Sequence, residues 1–281
     1  MIGPDFDHFC ELVRARSGLV LTADKTYLVV SRLGPIAREL KLSGPSELLA
    51  RLRTGATEAL VRRCVDAMAT HESFFFRDGA PFDHLAQKVL PQVIDARRRN
   101  RSLRIWCAAC SSGQEPYSVA MVLQDFAAQI ANWQIEILAT DMSEAILKKA
   151  RSGLYSDFEV NRGLPAEHLK RWFVREGQHW RISPQLQNMI TFREHNLLHG
   201  VSGLGAFDVI FCRNVLIYFD VTQKRSILSD LSRTLAGDGA LFLGSAETVI
   251  GLSDAFELTP GARGLYRIAG ARRLAAVAGA A

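Results

Sequence analysis

The sequence predicts an α/β protein in two parts. A small all-helical N-terminal domain is followed by a Rossmann-like α/β domain with a small subdomain inserted into it. Three observations predict this. Apolar residues recur at helical spacing through the first seventy positions. From about Leu103, short apolar runs alternate with helical patterns, as parallel strands joined by crossover helices do. Between the second and third runs, about forty residues (roughly 150 to 188) lack a strong strand–helix–strand pattern. That gap fits an inserted subdomain better than a bare loop.

The helical part opens with Phe6, Phe9 and Val13 on one stripe, then Tyr27, Val30 and Leu33 on a second. Pro35 is expected to kink or divide that second helix. Ser46, after the breaker Gly44-Pro45, is expected to cap the helix that carries Leu48, Leu49 and Leu52. Leu60, Val61, Cys64, Val65 and Met68 give the last stripe. Thr70-His71-Glu72-Ser73-Phe74-Phe75-Phe76-Arg77 follows. Three consecutive aromatics need burial, and packing between domains is the plain expectation for them. They also hold the Arg77 charge close to that buried surface.

The strands are expected in order at Leu103–Cys107, Ile135–Ala139, Met189–Phe192, Phe207–Phe211 and Ala240–Leu243. The boundaries read as residues 1–70 for the helical domain, 71–102 for a linker and leading helix, and 103–270 for the α/β domain. The insertion spans about 152–188. Residues 271–281, ending Leu274-Ala-Ala-Val-Ala-Gly-Ala-Ala281, read as a flexible tail.

Bulk properties exclude some classes. The chain has 281 residues, 48% hydrophobic, with a net charge of +5. That excess is too small to indicate a nucleic-acid partner. The run Arg97-Arg98-Arg99-Asn100-Arg101 reads instead as a solvated face after a helix, or as charge favouring the helix C-terminus. Met1–Asp5 lacks the basic and apolar regions of a signal peptide, and no apolar run is long enough to span a bilayer. The 5 cysteines are odd in number and irregularly spaced, and Cys107-x-x-Cys110 has no second pair to complete a metal site. A reduced, cytoplasmic, monomeric protein without membrane insertion is expected.

In an open parallel sheet the ligand crevice lies at the carboxyl ends of the strands. The first strand ends in Cys107-Ala-Ala-Cys-Ser-Ser-Gly-Gln-Glu-Pro-Tyr117, where small residues let backbone approach a ligand. This is not Gly-x-Gly-x-x-Gly, so a dinucleotide loses its main support. Ser112 and Glu115 also match a capping box, so Glu115 reads either as a cap or as a partner for a ligand ammonium. Asp141, ending Ala139-Thr-Asp141, sits where an acidic residue accepts from ribose hydroxyls. The competing reading is a helix cap, a task Ser143 could take. A ligand with a ribose and an ammonium but no phosphate suggests S-adenosylmethionine (SAM). Arg213-Asn214 falls at the end of the fourth strand, where a buried charge needs a partner. No Pro-Pro-aromatic motif occurs here, which argues against an amino-nitrogen acceptor.

Together these motifs resemble the CheR family of chemotaxis receptor methyltransferases, over nearly the whole chain. The likeness includes Arg16-Ser-Gly-Leu-Val-Leu, Thr70 to Asp78, Ser111-Ser-Gly-Gln-Glu-Pro-Tyr-Ser118, Ala139-Thr-Asp141 and Lys149 to Tyr155. It continues through Asn196-Leu-Leu198, Phe207 to Asp220 and Gly244-x-x-Glu247. The resemblance implies an antiparallel inserted subdomain and a SAM cofactor, with S-adenosylhomocysteine as its product. It implies His71, Ser73, Arg77, Glu115, Asp141, Asn196, Leu197, Arg213 and Asn214 around the cofactor, with Arg77 and Tyr218 catalytic. Asn is frequent in the family where His71 stands, and Thr where Ser73 stands. The implied reaction is methyl esterification of glutamates on the cytoplasmic domain of a methyl-accepting chemoreceptor. Arg175-Glu-Gly-Gln-His-Trp-Arg181 is shorter than the matching loop of members that dock on a receptor's C-terminal tether, so tether independence is expected.

Overall fold

The computed structural model describes residues 3–270, so the tail expected over 271–281 lies outside the described residues. The chain forms two compact units. One comprises the residues up to Thr70 with the segment Tyr218–Gln223, the other His71–Ile217 and the residues from Lys224 onward.

The α-helices of the first unit are α1 (Pro4–Ser17), α2 (Thr26–Glu39), α3 (Pro45–Gly55) and α4 (Glu58–Met68). Phe9, Val13, Val29, Leu33, Leu48, Leu49 and Cys64 form its core. The buried face of α2 is Val29, Leu33, Ile36 and Ala37. Tyr27 and Val30, expected on that face, are exposed instead. Nor does α2 divide at Pro35. Proline within a helix costs roughly 3 kcal/mol, and burying Leu33 and Ile36 beside it returns about 1.5–3 kcal/mol each. In α3, Pro45 takes the first helical position after Gly44, so Ser46 lies inside the first turn rather than capping it. Thr57 caps α4, its hydroxyl accepting from Leu60 N–H. Arg32 donates to the carbonyls of Met68 and Ala69 at 2.6 and 3.0 Å, which satisfies acceptors at the end of α4.

The second unit opens with a leading helix built of α5 (Ala80–His84), a π-turn at Leu85–Val89 and α6 (Leu90–Arg97). Then come β1 (Ser102–Ala108), α7 (Gln114–Gln124), β2 (Gln134–Asp141) and α8 (Glu144–Ser152). The insertion holds β3 (Leu154–Ser156), α9 (Asp157–Asn161), α10 (Ala166–Trp172), β4 (Phe173–Glu176) and β5 (His179–Ile182). After α11 (Pro184–Gln187) the main fold resumes with β6 (Ile190–Glu194), β7 (Phe207–Cys212), α12 (Val221–Thr234), β8 (Leu235–Leu243), β9 (Phe256–Leu258) and β10 (Leu265–Ile268).

The main sheet has the order β6-β2-β1-β7-β8-β10-β9. Its first five strands are parallel. The last two, which lie outside the five runs read from the sequence, pair antiparallel. The chain fills one side of β1 with β2 and β6, then returns to its other side with β7. That reversal opens a crevice over the carboxyl ends of β1, β2 and β7. β7 is buried at every position, as a strand covered on both faces must be.

The insertion forms its own antiparallel sheet, β3-β5-β4. Phe75 meets Tyr155 and Phe173 edge-on at centroid distances of 5.0 and 5.6 Å, and Phe76 stacks on His168 at 5.0 Å. These contacts turn the expected packing between domains into packing of the aromatic run on the insertion, within one unit. Arg97 is not on a solvated face. It is largely buried and pairs with Asp208 at 2.7 Å and Asp238 at 2.5 Å, tying the leading helix to β7 and β8.

Candidate active site

The turn after β1 is shaped by left-handed backbone. Ala109, Ser111 and Gly113 have φ of 55°, 52° and 93°. Cys110 N–H bonds the Thr140 carbonyl at 2.8 Å, holding this turn against the end of β2. Asp141 completes the link: its Oδ2 accepts from Ser111 N–H at 2.9 Å and its Oδ1 from Ser143 N–H at 3.0 Å. Ser143, not Asp141, holds the cap position of α8. A carboxylate has about four acceptor sites, so Asp141 keeps capacity for further donors. Burial raises its pKa above the ordinary carboxylate value, against the Ser143 N–H, the nearby His71 and the Ser111 N–H.

Glu115 lies in the first turn of α7, and the capping-box reading fails. Gly113 takes the cap position, and the Ser112 hydroxyl bonds Gln114 Oε1 at 2.7 Å. Glu115 reaches instead to Arg213, its Oε2 accepting from Nη1 at 2.9 Å. Burial pushes its pKa up, with the Arg213 charge opposing.

Arg213 is the hub. Its side chain is 1% exposed, and besides Glu115 it bonds Asp78 Oδ2 and the Arg77 carbonyl, both at 2.8 Å. Its guanidinium lies over the Phe82 ring, 5.7 Å from the centroid. Its buried Nε has no protein partner. This clamp fixes the turn that carries Arg77, where Phe76 and Asp78 both have positive φ. From the other side, Phe76 N–H bonds the Ser118 hydroxyl at 3.0 Å. Arg77 itself is half-buried, bonds the Glu72 carbonyl at 2.7 Å and lies over the Phe74 ring. Arg162, from the insertion, pairs with the Glu72 carboxylate and covers the same ring at 4.5 Å.

His71 and Ser73 lie in this segment, both half-buried, and the His71 carbonyl accepts from Ser111 Oγ at 3.2 Å. The His195 N–H bonds the Asp141 carbonyl at 2.9 Å, so Asn196 and the buried Leu197 follow β6 right beside the end of β2. Asn214 follows Arg213 with φ of 57°. Tyr218 ends the one-turn segment Leu216–Tyr218 and groups with the first unit. The connected cluster around Arg213 is built of second-unit residues.

Sequence reasoning assigned no role to Asp78, Ser111, Ser118 or Glu247. Asp78 and Glu247 lie inside quoted motifs. Ser111 lies in the small-residue turn and Ser118 in α7, and the short hydroxyls of both bond main chain. Cys107, Cys110 and Cys212 are buried and unpaired beneath the crevice, and burial raises all three thiols. Among the described residues, no group of three or more His, Cys, Asp and Glu side chains is arranged to hold a metal.

The donor set fits SAM. A small-residue turn lets backbone approach closely, Asp141 offers acceptors for a ribose, Glu115 offers negative charge for an ammonium, and the partnerless Arg213 Nε lies beside it. Comparison with known proteins agrees. The family described as CheR methyltransferase, SAM binding domain, matches residues 71–265, which makes the class a SAM-dependent methyltransferase. The all-alpha domain of the CheR methyltransferases matches residues 4–69. Chemotaxis protein methyltransferase 1 of Pseudomonas aeruginosa is 40% identical, covering 94% of this chain and 97% of its own. A protein of the same title from Vibrio cholerae is 39% identical over 90% of this chain and 92% of its own. The chemotaxis protein methyltransferase of Salmonella typhimurium is 36% identical over 90% of this chain and 86% of its own. The chain belongs to the CheR methyltransferase family.

Proposed function

We propose that this enzyme methylates glutamate side-chain carboxylates on the cytoplasmic helices of chemoreceptors, giving methyl esters, and that it does so without a receptor tether peptide. The observation that carries the reading is the clamp on Arg77. A guanidinium that cannot act as a base is presented from a turn held by a buried arginine and by Ser118, beside the carboxylates proposed for the cofactor. Such a group suits an anionic acceptor, and relatives titled chemotaxis protein methyltransferase support a receptor as its source.

Bound SAM supplies an electrophilic methyl group on a positively charged sulfur. The work of the chain is positioning. The acceptor glutamate is already ionised near pH 7, so no general base is required. Arg77 attracts and orients the acceptor carboxylate, and Tyr218 is assigned to orient the carboxylate or the cofactor through its hydroxyl. Asp141, Asn196 and Leu197 are assigned to the nucleoside end of the cofactor. Glu115, with Arg213 and Asn214, is assigned to its charged end, and His71 and Ser73 to the segment covering it.

The insertion supports tether independence. β4 and β5 are joined across Gly177-Gln178 by a tight turn, with Arg175 Nε bonded to the Gly177 carbonyl at 3.0 Å. Methyl-labelled SAM with candidate receptor cytoplasmic domains tests the reading. Label released as methanol by mild base marks an ester, and base-stable label refutes the carboxylate acceptor. Micromolar binding of a receptor-tail pentapeptide refutes tether independence.

A further inference from the structure

Glu247 stands apart from the residues assigned to the cofactor. Glu247 is 8% exposed, and its carboxylate is turned toward main chain. Oε2 accepts from Asn214 N–H at 2.8 Å and Gly244 N–H at 2.7 Å. Oε1 accepts from Val215 N–H at 2.9 Å and Ile217 N–H at 3.3 Å. One side chain thus gathers donors from the turn leaving β7 and from the end of β8. Convergent N–H groups of this kind form an anion nest, and here the chain fills the nest with its own carboxylate.

The nest includes the left-handed residue. Asn214 has φ of 57°, a conformation that persists when its surroundings over-determine it. The Asn214–Glu247 bond supplies that restraint, and Gly244 leaves the room for it. A Cβ at Gly244 would come within 2.7 Å of Glu247 Oε2, 2.8 Å of Asn214 Nδ2 and 2.9 Å of Asn214 N. We infer that Glu247 is a positioning residue for cofactor binding. It sets the backbone and amide of Asn214 by occupying the nest and makes no contact with the cofactor itself. The inference rests on the assignment of Asn214 to the cofactor site.

Titration calorimetry with S-adenosylhomocysteine tests it on the full chain. Asn214→Ala is expected to weaken binding at least tenfold. Glu247→Ala should weaken it by a similar factor with the number of sites unchanged, and Asn214→Ala added to it should cost little more. Formate, a carboxylate small enough for the emptied nest, should recover at least threefold of the affinity where chloride at equal ionic strength does not. A merely structural role would lower the number of sites and leave Kd alone, with no response to formate. That outcome, or wild-type affinity in Glu247→Ala, overturns the proposal. If Asn214→Ala binds normally, the assignment of Asn214 fails instead. Should Glu247→Ala not fold, Gly244→Ala attacks the same clasp from the other strand, and an unchanged Kd there overturns the proposal equally.

Discussion

Replacing Arg213 with methionine removes a buried cation and leaves its three acceptors without it. The partners are Glu115, Asp78 and the Arg77 carbonyl. Removing one member of a buried ion pair costs about 3–5 kcal/mol. The Asp78 side chain is 35% exposed, against 12% for Glu115, so water compensates Asp78 and most of the cost falls on Glu115. A loss of about 3 kcal/mol is expected. It should depend on pH in a definite direction. Burial already raises the Glu115 pKa, and the Arg213 charge is what opposes it. Without that charge the folded-state pKa rises further above the unfolded value. A group with a raised folded pKa contributes stability below its unfolded pKa and loses it as pH rises through the folded pKa. The variant should therefore be less destabilised at acidic than at alkaline pH. Trp106, Trp133, Trp172 and Trp180 all lie in the second unit, so urea unfolding followed by tryptophan fluorescence reads that unit. A loss below about 1 kcal/mol at both ends of the pH range would refute the reasoning.

Arg77→Ala should lower methyl transfer at least about 100-fold, and Tyr218→Phe should lower kcat more than it weakens SAM binding; labelled transfer beside calorimetry checks both. Because burial raises Glu115 and Asp141, cofactor affinity should begin to fall on acidification above the ordinary carboxylate range. Glu115→Gln should flatten part of that profile, and an affinity constant down to about pH 4.5 would contradict it. Gly163→Ala places a Cβ 2.2 Å from the Phe75 carbonyl at a φ of +85°. It should displace the segment that carries Arg77, and a variant with unchanged kcat and thermal midpoint would argue against that coupling. Arg97→Ala should cost about 2 kcal/mol. Arg97 holds Asp238 below its usual value, so this contribution is present at neutral pH and lost as pH falls through the folded pKa. The variant should show a weaker acid dependence in urea unfolding.

The parts legible in the sequence share a physical basis. The five parallel strands are apolar runs because helices cover both faces of the sheet, and Asp141 and Arg213 are visible because they end such runs. Strands β9 and β10 are three and four residues long, too short for a period to show. The face of α2 was misread because Tyr27 and Val30 match the helical spacing as well as Val29 and Ile36 do, and only packing separates them. Arg97 looked like one of a basic run, and its partners Asp208 and Asp238 lie 111 and 141 residues away. The same holds in the site. The pairing of Glu115 with Arg213 spans 98 residues, while the local capping-box match spans three and does not form.

The segment from His71 to Asp78 has a consequence for how the chain assembles. Its partners arrive late, since Ser118, Arg162 and Arg213 lie 42, 90 and 135 residues beyond the atoms they hold. During synthesis the aromatic run leaves the ribosome long before the residues that clamp it, and closing such long loops is entropically slow. The crevice is thus expected among the last features to form, after the strands that frame it. Among the described residues, five of the eight non-glycine positions with positive φ belong to it: Phe76, Asp78, Ala109, Ser111 and Asn214. Local preference opposes that geometry, so the strain is held only once the distant partners arrive. A ligand that binds only the finished crevice would draw the final closure forward by mass action.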